Sequence, residues 1–230
     1  MKKTWKNKLK MALLLTAVLL LPCVVSTSAP AQTPKDEESL IRDATVVLDE
    51  IMQIPARSIP TSLFQKAEGI AIFPSLMKGG FIVGVQGGSG ILLIKTQDGR
   101  WEYPRFATLA GGSVGFQVGV QSTDIILFFC THRSVEAVLK GKFTIGADAS
   151  VAAGPIGRQT SAATDVRLSS EIYSWSRSRG VFLGAALDGM ALDIDNAKTT
   201  AFYQNGTPQV ADVLVGKIIQ YASEPKTAGE

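Results

Sequence analysis

Gly111-Gly112-Ser113-Val114-Gly115 matches a catalytic motif letter for letter. In the G-x-S-x-G nucleophile elbow a strand turns sharply into a helix, and the strained turn holds the serine hydroxyl out at solvent. Here the pattern runs on into Phe116-Gln117-Val118-Gly119-Val120, which alternates as a strand does. The base would have to be His132, the only histidine, with Asp124 or another acid to orient it. With 22 glycines in the chain, a five-letter match arises easily by chance. Ser113 therefore reads as a strand residue, and a serine hydrolase is the outside alternative.

Metal and phosphate chemistry find less support. One histidine and, with Cys23 in the leader, one cysteine of the mature chain cannot build a typical zinc site. Asp188, Asp193 and Asp195 could gather around calcium, but the EF-hand spacing is absent, and they read as solvent-side residues of a strand and its turn. Gly87-Gly88-Ser89-Gly90 lacks the lysine and following helix that a phosphate cradle needs, so it reads as a hairpin turn. No metal and no cofactor is expected.

The basic residues are more informative. In Ser174-Trp175-Ser176-Arg177-Ser178-Arg179 a strand would put Trp175, Arg177 and Arg179 on one face. Arg158 and Arg167 lie nearby in sequence. Arginines beside an indole fit an anionic head group or phosphate. A solvated face paired with Asp165 and Glu171 is the competing reading. Lys66 and Lys78, with Lys140 and Lys142, form a looser second set.

The first 31 residues stand apart from the elements that must position these groups. Lys2, Lys3, Lys6, Lys8 and Lys10 precede an apolar run from Met11 to Leu21, and Ala29-Pro30-Ala31 is a small-x-small cleavage site. That order describes a secretory signal peptide, with an apolar run too short for a comfortable membrane span. Removing its five lysines from a net charge of +3 leaves −2, so no global positive field argues for nucleic acid. Cys23 follows Leu20-Leu21-Pro22 and is a weaker candidate for a lipid anchor, because Pro22 replaces the small residue such signals use. Cys130 would remain alone, without a disulfide partner.

Residues 32–230 read as one domain. Thr33 is a candidate N-cap, Pro34 suits the first helical position, and acids at 36–38 suit the helix dipole. Leu40, Ile41, Ala44, Val47, Leu48, Ile51 and Met52 recur at helical spacing. This stripe could cover a sheet or enter a membrane interface. Its polar face is acidic, whereas interfacial helices are rich in Lys and Arg there, so docking on the core is expected.

Short helices are predicted over 61–67, 134–140 and 197–203, and a longer one carries Val210, Val213, Leu214, Ile218 and Tyr221. Between them run strands over 69–73, 81–86, 91–95, 108–110, 113–121, 125–130, 143–153 and 166–174, with more within 180–192. Gly80-Phe81-Ile82-Val83-Gly84-Val85-Gln86 returns 35 residues later as Gly115-Phe116-Gln117-Val118-Gly119-Val120-Gln121, and the apolar runs after each copy also match. The repeat predicts a duplicated strand–turn–strand hairpin whose glycines bend the sheet. The expected fold is α+β: a strongly curved, mainly antiparallel sheet or partial barrel, with helices flanking it at both ends.

Blocks at 67–74, 79–84, 109–117, 141–150, 152–158 and 176–182 come in one order and resemble the SYLF domain family over about Leu40 to Tyr203. The resemblance implies lipid binding. Eukaryotic relatives bind phosphoinositides, and some bind and bundle actin alongside SH3 or FYVE modules. Membrane contact there is credited to basic residues and an amphipathic segment that matches Leu40 to Met52. A bacterial-type export signal places this chain in the periplasm or cell envelope. The expectation is thus a non-enzymatic exported protein binding anionic lipid through Arg177, Arg179 and Arg158, with Lys66 and Lys78 as weaker contacts. The alternative is an envelope module that self-associates or docks a protein. Neither nucleic acid nor actin is expected as a partner.

Overall fold

The computed structural model describes residues 37–54, 58–80, 83–114, 119–141, 143–154, 170–176, 187–204 and 206–223. Helix α1 is Glu37–Met52, with Glu37 and Glu38 in its first turn, where carboxylates meet the positive end of the helix dipole. The expected cap at Thr33 lies outside the described residues. Leu40, Ile41, Ala44, Val47, Leu48 and Ile51 are buried. Docking on the core thus takes the whole apolar stripe. Helix α2 is Thr61–Lys66.

The sheet follows: β1 Gly69–Gly80, β2 Val83–Ile94, β3 Arg105–Val114 and β4 Gly119–Phe129. Helix α3 (His132–Leu139) is capped by the Thr131 side chain, which accepts from the Ser134 amide. Then come β5 Phe143–Thr144, β6 Val151–Ala153, β7 Ile172–Ser176, β8 Ala191–Ile194, α4 Asn196–Tyr203 and α5 Gln209–Ser223. The eight strands lie in the order β5-β8-β3-β2-β1-β4-β7-β6. Every pairing is antiparallel except β6 with β7. This is the expected α+β fold, a curled sheet with helices from both ends of the chain. No described helix is long and apolar enough to cross a membrane.

Strand periodicity divides the interior in two. Ile70, Ile72, Ile91, Leu93, Phe106, Ile126 and Phe128 face α1, α2 and α5, against Leu48, Phe64, Leu214 and Ile218. Ala71, Phe73, Leu92, Leu109, Leu127 and Phe129 face the other way, against Val135 and Val138 of α3, Phe143 and Met190. Both faces of this half of the sheet are covered, so β1 and β4 read as continuous apolar runs there.

Several predicted boundaries move. Gly87-Gly88-Ser89-Gly90 is not a turn; it lies inside the twelve-residue β2, paired with β3 from Gly87↔Ala110 to Gly90↔Ala107. A Cβ on Gly90 would sit 2.4 Å from both the Ile72 carbonyl oxygen and the Phe73 ring. Close approach of β1, not a reversal of the chain, demands glycine there. The second repeat copy is not a hairpin either, because β4 runs unbroken from Gly119 through Gln121 and Ile125 to Phe129. The strand expected over 143–153 breaks at Gly146, which has φ +84°. The start of the strand expected over 166–174 lies outside the described residues, and β7 runs on to Ser176.

The sheet carries one marked irregularity. The register of β1 against β4 shifts between Phe73 and Leu76, so Pro74-Ser75 forms a bulge. Proline has no N–H for the ladder and is tolerated at such a place. Ser75 has φ 61°, the left-handed region, and its amide donates to Asp124 Oδ1 at 2.9 Å.

Candidate functional site

Beyond the bulge the four central strands run on as a glycine-rich extension. Gly80 pairs with Gly84 on β2 and with Gly119 on β4. One row crosses all four strands: Gly111 on β3, Gln86 on β2, Lys78 on β1 and Gln121 on β4. Gln86 and Gln121 are the last residues of the two repeat copies. The duplication therefore places one glutamine on each flank of a single lysine. Gln86 is 8% exposed and Lys78 is half-buried. Gln86 lies an even number of residues from Leu92, which puts it on the face away from α1, α2 and α5.

No acid pairs with Lys78 among the described residues. A partly buried ammonium with three donors, set between two amide-bearing positions, is suited to a phosphate or carboxylate oxygen.

The other expected site residues are dispersed. Lys66 is the exposed last residue of α2, just before β1 begins, whereas Lys78 lies near the far end of that strand. The fold does not bring them together. Arg177, Arg179 and Arg158 lie outside the described residues. Trp175 is 4% exposed and packs edge-on against Phe128, with ring centroids 5.8 Å apart. A Cβ on Gly154 would fall 2.2 Å from the indole. Trp175 is thus a core residue and not a surface platform for a head group. Lys140 is exposed and lies 3.8 Å from Glu136, while Lys142 lies outside the described residues.

The hydrolase constellation does not assemble. Ser113 sits within β3, opposite Gly84 on β2. His132 opens α3 beyond the other end of β4 and lies 3.3 Å from Glu136. The Asp124 carboxylate is bound to the Ser75 amide. Of the three aspartates considered for calcium, Asp195 caps α4 by accepting from the Lys198 amide.

Residue-by-residue reading missed Gln86 and Gln121. Their signal was present in the repeat, since both copies end in glutamine, but only strand register shows that the two flank Lys78.

A family profile described as Ysc84, Las17-binding protein actin regulator, matches residues 110–228. The chain belongs to the Ysc84 family. That agrees with the SYLF-type blocks, SYLF being the domain of this family. SH3 domain-containing YSC84-like protein 1 of Rattus norvegicus is 33% identical over 195 residues, covering 82% of this chain and 57% of the relative. The Homo sapiens protein of that name is 33% identical over 189 residues, covering 80% and 55%. LAS seventeen-binding protein 3 of Saccharomyces cerevisiae is 31% identical over 164 residues, covering 70% and 35%. This Ysc84-family chain spans little more than half the length of the YSC84-like relatives and about a third of the yeast protein. The profile match begins at Ala110 in β3, while the alignment to the rat relative covers most of the chain.

Proposed function

We propose that this Ysc84-family chain is an exported, non-enzymatic binding protein that holds anionic lipid head groups on the glycine-rich extension of its sheet. The observation that carries this reading is the row Gln86–Lys78–Gln121, with an ammonium that no described acid neutralises. Lys78 supplies the charge, with Gln86 and Gln121 at the neighbouring register positions on β2 and β4. The apolar stripe of α1 is taken up by the core, so an amphipathic helix does not provide the contact unless it undocks. The basic, apolar N-terminus is the export signal in this reading, and the envelope is the destination. Protein purified from cells expressing the full chain should float with phosphatidylserine-containing vesicles and less so in high salt. Absence of flotation refutes it.

A second reading has the family description behind it, which names Las17 binding and actin regulation. The chain would then dock a protein partner or a second copy of itself in the envelope, with no lipid role. Retrieval of a defined partner by crosslinking through the extension, without vesicle binding, favours that reading.

A further inference from the structure

A recess lies at the other end of the sheet, where β3 begins. It has a volume of about 370 Å³ and opens between the segment Glu102–Arg105, helix α4 and Thr207. This end of β3 is the Arg105↔Leu92 end, whereas Lys78 belongs to the glycine-rich end. Nothing in the lipid reading uses it.

Its walls combine a fixed aromatic pair with unoccupied polar groups. Tyr103 and Tyr203 stack with centroids 5.9 Å apart and planes 30° from parallel. Both hydroxyls are held: Tyr103 donates to Asp212 Oδ1 at 3.0 Å, and Tyr203 donates to the Pro104 carbonyl at 2.9 Å. Tyr103 nevertheless remains 44% exposed, so part of its ring is open to a ligand. Asn196, Thr200 and Thr207 line the recess, and their side chains make no hydrogen bond among the described residues. An amide and two hydroxyls offer donors and acceptors in similar number.

Charge selects the ligand class. Arg105 donates to Glu102 at 2.7 Å, so the one cation in the wall is neutralised by its neighbour. Asp195 already caps the N-terminus of α4, and Asp212 stands beside Tyr103. An anion would find no uncompensated positive charge here. A neutral polyhydroxylated molecule matches each feature. Its C–H face packs on tyrosine, and its hydroxyls pair with Asn196, Thr200, Thr207 and the unused N–H groups of Arg105.

We propose that this recess binds a neutral saccharide unit. The proposal stands independently of the lipid reading. It is tested on protein purified from cells expressing the full chain, by thermal melting and NMR titration with chito-oligosaccharide, malto-oligosaccharide and inorganic phosphate. Each probe is used at about 10 mM, well above a millimolar Kd. At least one oligosaccharide should raise the melting temperature and perturb tyrosine resonances, with no effect of phosphate on those resonances. Asn196→Ala combined with Thr200→Val should weaken saccharide binding at least about tenfold while melting like the wild type without ligand. Lys78→Ala should leave it unchanged. If that double variant melts early, Thr207→Val serves in its place. Response to neither oligosaccharide, response to phosphate at the same tyrosines, or undiminished binding by the variants would overturn the proposal.

Discussion

The Ser75 amide donates a 2.9 Å hydrogen bond to the Asp124 carboxylate, tying the bulge of β1 to β4 where the register shifts. Asp124 is only 7% exposed, so the bond is shielded from water. It separates the doubly covered half of the sheet from the glycine-rich extension that carries Lys78.

Removing that carboxylate should loosen the junction. Asp124→Ala is expected to cost about 1.5–3 kcal/mol in denaturant unfolding, as for a hydrogen bond to a charged group. Ser75→Gly should be tolerated, because glycine adopts the left-handed region freely, whereas Ser75→Val should cost about 1–2 kcal/mol. Equal stability of the two Ser75 variants would mean that the bulge is not held as described.

Gly90 and Gly112 separate close approach from mere composition. A Cβ on Gly90 meets β1 at 2.4 Å, while one on Gly112 meets nothing within 4 Å. Gly90→Ala should lose about 1–3 kcal/mol by overpacking, and Gly112→Ala should stay within about 0.5 kcal/mol. Were Gly90 a turn residue with open surroundings, the two variants would behave alike.

Helix α1 offers a direct comparison of core and membrane roles. Leu48 is fully buried and Val46 is 52% exposed. Leu48→Ala should destabilise by about 2–5 kcal/mol. Val46→Lys should leave stability within about 0.5 kcal/mol and leave vesicle flotation unchanged. Loss of flotation in Val46→Lys would return membrane contact to this helix.

Burial pushes the Cys130 thiol up to about 11 from an ordinary value near 9.0. The folded state then keeps its proton at pH values where the unfolded state has released it. The stabilisation is present below about pH 9 and is lost as pH rises from there toward 11. Cys130 should resist alkylation at neutral pH until the protein unfolds, and Cys130→Ala should flatten the alkaline fall in stability. Rapid alkylation of the native protein would contradict this.

Much of the architecture was legible because it rests on local chemistry. The stripe from Leu40 to Met52 has the period of a helix, and its acidic outer face already favoured docking on the core. The short continuous apolar runs at Ile70–Phe73 and Ile125–Phe129 read as buried strands from their length and β-branched and aromatic content. Gly87–Gly90 misled because a glycine run signals a turn locally, while the contact that demands glycine comes from Ile72 and Phe73, distant in sequence. The pairing of Lys78 with Gln86 and Gln121 was hidden for a related reason. Strand order and register are long-range properties, and the similarity of two heptads does not reveal that they end beside the same lysine. Trp175 belongs with these cases, since its place beside two arginines in sequence gave no sign of its burial against Phe128 and Gly154.

The central claim is tested most directly by floating wild-type protein and Lys78→Ala with neutral phosphatidylcholine vesicles and with vesicles that also contain phosphatidylserine. Binding to the anionic vesicles only is expected, weakened by high salt and by about fivefold in Lys78→Ala, whose melting temperature is unchanged. Equal binding to both kinds of vesicle, or undiminished binding by Lys78→Ala, would contradict it.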